Sequence, residues 1–172
     1  MTSSSPDPNS YSSKAYFEPW TDCFEVDAQR LDALLEESRQ DPRGRVRICL
    51  HRDEQDPLHE MVIALADHGY LRPHRQVGRQ KSYLILKGAL RVVFFNEAGE
   101  VLRRLELDAE SRPIARFDSG IWHTMTSTSN GTVYLETILG PFDKTGTDWA
   151  DWAPGRSPRP EIEAYMQRVL RS

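Results

Sequence analysis

The stretch Arg72-Pro73-His74-Arg75-Gln76-Val77-Gly78-Arg79-Gln80-Lys81-Ser82-Tyr83-Leu84-Ile85-Leu86-Lys87-Gly88 decides the fold. Pro73 turns Arg72 away from helix, so the stretch begins extended. Side chains two apart on a strand point the same way, so His74 and Gln76 share one face and Arg75 takes the other. Ser82 to Leu86 reads as the next strand. Lys87-Gly88 turns tightly into a third, over Leu90 to Phe95. This is one turn of a small β-barrel with a histidine facing its interior.

The same period continues on both sides. Upstream, Val46, Ile48 and Leu50 alternate with Arg45, Arg47, Cys49 and His51, which predicts a half-buried strand. Met61 to Ala66 is another, closed by the turn His68-Gly69. Downstream, the four-residue loop Asn96 to Gly99 leads into Val101 to Leu107. Pro113 to Phe117, Trp122 to Thr128 and Thr132 to Leu139 complete about eight or nine strands. Many short strands joined by Gly and Asn turns predict an all-β fold, an antiparallel jelly-roll-like barrel. The ends differ. Asp22 and Glu25 have the spacing of a capping box. From Asp27 to Gln40 the period is helical, with Ala28, Leu31, Leu34 and Leu35 on one face, and Asp41 to Gly44 stops the helix. Asp148 to Pro154 is an aromatic loop expected to lie over the barrel, and Glu161 to Leu170 a second helix. Residues 1–14 have the composition of a disordered tail, leaving 15–172 as a single domain with flanking helices.

Composition narrows the function classes. Of 172 residues, 38% are apolar and 28% charged, as in ordinary globular domains. A net charge of -4 with both signs interspersed lacks the clustered basic face that nucleic acid requires. The apolar run Met61 to Ala66 is far too short to span a bilayer. Met1 to Ser13 has no apolar signal segment. Cys23 and Cys49 form no metal spacing, and are expected to be buried, reduced thiols of a cytoplasmic protein.

The chain resembles the cupins, and among them the WbuC-type cupin-fold proteins. Gly69, His74, Gln76, Lys81 and Gly88 follow the first cupin motif, with one residue missing near its start. Gly120 and His123 follow the second. The flanks Asp56 to Met61, Tyr70 to Arg75, Gly140 to Phe142 and Trp152 to Pro154 also look like the WbuC type. The resemblance implies a ligand-binding barrel linked to surface polysaccharide synthesis. It also implies a metal centre of three histidines and a glutamate. Here Gln76 stands in place of a histidine and Lys81 in place of the glutamate. His74, Gln76 and His123 are thus the candidate metal ligands, for Zn, Fe, Ni or Mn held weakly or for no metal at all.

A protonated lysine offers donors and no acceptor. At about 4 Å from a divalent ion and an effective dielectric near 20, repulsion is on the order of 8 kcal/mol before relaxation. The ammonium can instead replace the metal's positive charge for an anionic or polyhydroxyl ligand. The expected ligand pocket is Lys81, Tyr83, Trp122, Glu136 and Arg72, with Arg75 and Arg79 on a basic rim. Glu136 is the candidate acid-base carboxylate and the candidate ion-pair partner of Lys81. His51 and His59 are expected to be hydrogen-bonded structure. The favoured function is binding of a sugar-like or anionic small molecule. The alternative is a metal-dependent isomerase, epimerase or oxygenase acting on a carbohydrate intermediate. The partner is a small molecule, neither nucleic acid nor membrane, and a homodimer is left open.

Overall fold

The computed structural model of the protein describes residues 14–17, 22–155 and 158–171. The tail expected over 1–14 therefore lies outside the described residues up to Ser13, and Lys14 already belongs to a strand. The elements are β1 (Lys14–Phe17), α1 (Ala28–Gln40), β2 (Arg45–Cys49), β3 (Leu58–Leu65), β4 (His74–Gln76), β5 (Lys81–Lys87), β6 (Ala89–Phe95), β7 (Val101–Asp108), β8 (Ile114–Phe117), β9 (Trp122–Ser127), β10 (Thr132–Leu139), β11 (Thr147–Trp149) and α2 (Arg159–Leu170). They form a six-stranded sheet, β1-β2-β3-β10-β5-β8, facing a five-stranded one, β11-β4-β9-β6-β7. Every neighbouring pair is antiparallel except β1 and β2. This is the expected double-sheet barrel. The short strands β1 and β11 are additions to it.

Asp27, and not the Asp22–Glu25 pair, starts α1: its side chain accepts from the backbone N–H of Arg30 at 2.8 Å. The helix lays Leu34 and Leu35 on Val46, Ile48, Val62, Ala64 and Val133. At the β5–β6 turn Gly88 has φ +79°, and a Cβ there would meet the Gly131 carbonyl oxygen at 2.4 Å. No other residue fits that turn.

Between the sheets lies a core of Ile63, Leu65, Tyr83, Ile85, Leu90, Val92, Met125, Tyr134 and Ile138, among others. Directly paired residues of neighbouring strands point to the same face, so the register identifies what else faces inward. One row runs His59, Ile138, Lys81 and Phe117; the next runs Met61, Glu136, Tyr83 and Ala115. On β2 the register pairs Arg45 with Leu65, Arg47 with Ile63 and Cys49 with Met61. These partners all belong to the interior core. Arg45 and Arg47 therefore point into the barrel, while Val46 and Ile48 meet α1. The half-buried strand expected here is buried on both faces, because α1 covers its outer side.

The outer face of the second sheet is also covered. Val93, Phe95 and Trp122 pack with Ala150, Ala153, Tyr165 and Val169 of the C-terminal segment. Arg91 donates to the Leu170 carbonyl at 3.0 Å and Arg104 to that of Val169 at 3.0 Å, which ties the last turn of α2 to the sheet. Cys49 is buried inside the barrel, whereas Cys23 is exposed and not buried as expected. No described helix is long and apolar enough to cross a membrane.

Candidate functional site

Strands β4 and β9 bring the two motif histidines together. His74 and His123 are register partners with ring centroids 4.6 Å apart, and both are buried. Each ring has a backbone carbonyl at Nδ1: Ile121 at 2.8 Å for His123 and Arg72 at 3.2 Å for His74. A carbonyl only accepts, so both Nδ1 atoms carry the hydrogen and both Nε2 atoms hold a lone pair. Desolvation and then the Lys81 charge hold His123 down at about 3. His74 is held well below its usual value by burial, by His123 and by Lys81. Both rings are neutral at pH 7.

Lys81 fills the place opposite them. Its Nζ lies 3.1 Å from His123 Nε2 and 3.6 Å from Glu136 Oε1, and the residue is buried. The ammonium donates to the imidazole lone pair that a metal would otherwise take. Burial lowers the Lys81 pKa, and Glu136 opposes that shift. The expected ion pair of Lys81 with Glu136 is thus formed within the interior. Breaking such a buried pair from one side costs about 3–5 kcal/mol, because the other charge is left unpaired.

A metal centre of the cupin kind does not fit this donor set. His74 and His123 supply two lone pairs, and Gln76 Oε1 is buried without a hydrogen-bond partner among the described residues. The fourth position, however, is a cation bonded to one of the would-be ligands. Among the described residues no group of three His, Cys, Asp or Glu side chains is placed to hold a metal.

Tyr83 lies in the interior as expected, edge-on to Phe117 at 4.9 Å and 5.1 Å from Tyr134. Its hydroxyl is buried without a partner, and burial pushes its pKa well above 10. Two pocket residues expected from the sequence lie elsewhere. Trp122 precedes the inward His123 and so faces out; its Nε1 donates to Glu97 at 3.0 Å and Arg75 stacks on its ring at 4.5 Å. Arg72 precedes the strand, and its guanidinium donates to the Ala150 carbonyl at 2.8 Å and to Asp151 at 3.3 Å. Of the basic rim, Arg75 is engaged by Asp148 at 2.9 Å and Glu97 at 2.7 Å, and Arg79 donates to the Leu139 carbonyl at 2.6 Å. His51 Nδ1 donates to the Glu60 carbonyl at 3.0 Å, and its ring stacks on His59 at 4.0 Å.

Three residues of this interior were not foreseen. Trp149 of β11 pairs with His74, its ring 5.2 Å away, and walls that side of the site. Arg45 and Arg47 enter from β2, and the Nε of each is buried without a partner among the described residues. The alternation Arg-Val-Arg-Ile-Cys was the available signal; it shows two arginines on one face without showing which face meets the barrel.

Residues 26–107 match a domain of unknown function (DUF6016). No curated protein matches the chain. Among solved structures, the capsular polysaccharide assembling protein CapF from Staphylococcus aureus is similar, at 13% identity and a TM-score of 0.53. That match covers 63% of this chain and 32% of CapF. An oxalate decarboxylase from Bacillus subtilis matches at 19% identity and a TM-score of 0.47, over 66% of this chain and 29% of that one. A protein from Shewanella oneidensis matches at 17% identity and a TM-score of 0.47, over 68% of this chain and 77% of that one. The chain thus spans about a third or less of the capsular and decarboxylase proteins. With two facing sheets, inward histidines on β4 and β9, and the likeness to the capsular protein, the protein has a cupin-like fold.

Proposed function

We propose that this protein is a cupin that binds a sugar-like or anionic small molecule in its barrel without a metal ion. The observation that carries this reading is the Lys81 ammonium, set 3.1 Å from His123 Nε2 and paired with Glu136 at 3.6 Å. In this reading the ammonium, on the residue that stands in place of the family's glutamate, supplies the positive charge that a metal would otherwise bring. The finer assignment is to the WbuC type, with a role close to surface polysaccharide synthesis in the cytoplasm. That assignment rests on the motif and flank resemblance. The capsular polysaccharide assembling protein shares the fold and adds nothing beyond that.

Metal content of untagged protein by mass spectrometry, with melting curves with and without chelator, tests the reading. The wild type is expected to hold well under one equivalent and to melt unchanged in chelator. The double variant Lys81→Glu, Gln76→His should gain a near-stoichiometric first-row divalent metal. At a hundred times the dissociation constant that metal should add about 2.7 kcal/mol of stability. A wild type carrying a full equivalent, lost to chelator with a drop in melting midpoint, overturns the metal-free reading. The metal-dependent enzyme then takes its place.

A further inference from the structure

The barrel interior is more basic than the two motifs suggest. Lys81 is already paired with Glu136, the one carboxylate on the inward faces of the described strands. Arg45 and Arg47 add two further cations from β2, on the face shared with Cys49, Ile63 and Leu65. With Arg79, which is buried beside the pair and acts on Lys81, the cations around Glu136 outnumber the single carboxylate. Each arginine has its Nε buried with no hydrogen-bond partner among the described residues, yet each residue keeps part of its surface accessible. Their charges reach the site: Arg45 acts on His74, Lys81 and Tyr83, and Arg47 and Glu136 act on each other. Arg47 also reaches the Cys49 thiol, a weak acceptor, and a packed core gains nothing from a guanidinium nitrogen buried with no acceptor. A planar fork of N–H donors is matched by the two oxygens of a carboxylate or phosphate.

We propose that Arg45 and Arg47 form an oxyanion site inside the barrel that takes the carboxylate or phosphate group of a small ligand. This rests on the small-molecule reading above and narrows it to anions. It makes β2, and neither Lys81 nor the motif histidines, the source of ligand selectivity.

The test is thermal shift and calorimetry on the full chain with inorganic phosphate, D-glucuronate, D-glucose 1-phosphate and neutral D-glucose. At saturation at least one anion should raise the melting midpoint by about 5 °C or more. D-glucose should not. The response of glucuronate against the two phosphates identifies which oxyanion the site takes. Arg47→Met and Arg45→Met should each weaken anion binding at least tenfold while leaving the ligand-free midpoint unchanged or higher, since a buried unpaired charge is replaced by an apolar chain. Arg47→Lys, which keeps the charge and loses the fork, covers the case in which the methionine variants fail to fold; it too should bind at least tenfold more weakly.

A lower ligand-free midpoint in the folded methionine variants would mean that the arginines are structural, and anion binding that survives them would overturn the proposal. Binding of D-glucose as tight as that of the anions, unchanged in the Arg47 variants, would also overturn it while leaving the small-molecule reading intact. If none of the four probes binds the wild type, both fall.

Discussion

His123 is neutral inside the barrel because burial and the Lys81 ammonium oppose its protonation, and it is held at about 3. His74 is depressed too, by burial first and by its neighbours second. The unfolded chain takes up both protons near pH 6.5, and the folded chain does not. Their contribution to stability is therefore complete above pH 6.5 and is lost as the pH falls below it, down to about 3 for His123. At pH 5 the His123 imidazole should have withdrawn about 2 kcal/mol, and His74 acts in the same direction. Urea titrations at pH 7.5 and pH 5 measure this, and His123→Gln should shrink the difference by about 2 kcal/mol. A wild-type stability equal at the two pH values would mean that the rings are already charged or open to water. At this scale the spacing of the motifs was informative. His74, Gln76, Lys81 and His123 converge because strand alternation and register require it. The same alternation excludes Trp122, which is adjacent to an inward residue. Arg72 is lost for another reason: two residues before His74, it shares a face with it only if the strand extends through Pro73, and β4 begins at His74.

At the scale of the element, β2 shows where pattern stops being informative. A period of two assigns residues to two faces, and on its own it favours the apolar face as the one that meets the core. The helix α1 reverses this by supplying a second core, in which Leu34 is fully buried against Val46 and Ile48. Leu34→Ala should cost about 2–5 kcal/mol in urea unfolding, as a buried leucine does when the cavity cannot collapse. Glu36→Ala, on the exposed side, should stay within about 0.5 kcal/mol. Equal, small effects for the two would mean that α1 does not pack on the sheet. The strands β1 and β11 were not legible for a simpler reason. Four and three residues are too few to establish a period, and both are created by their neighbours' ladders.

At the scale of the whole molecule, the C-terminal segment wraps the second sheet as the aromatic loop and second helix suggested. Tyr165 and Val169 bury the outward Val93, Phe95 and Trp122, and Arg91 and Arg104 hold the carbonyls of the last helical turn. Removing residues 158–172 should lower stability by about 3 kcal/mol or more, from the loss of two large buried side chains and the exposure of their partners. Urea unfolding reads the loss, and binding of an apolar dye reads the uncovered patch. A truncated chain as stable as the full one and without dye binding would show that the segment is not part of the core.

The sheet order also bears on biosynthesis. Synthesis proceeds from the N-terminus, yet β3 has its inner neighbour in β10, and β4 has its outer neighbour in β11. While the chain is still being made, β3 must wait for residues 132–139 and the strand carrying His74 for residues 147–149. The cluster of Lys81, Glu136 and the two imidazoles therefore cannot assemble before residues 132–139 have been made. Its charges stay hydrated until the barrel closes around them. A nascent chain stalled before Thr132 exposes an unpaired strand edge, the kind of surface that chaperones bind and that aggregates when left uncovered.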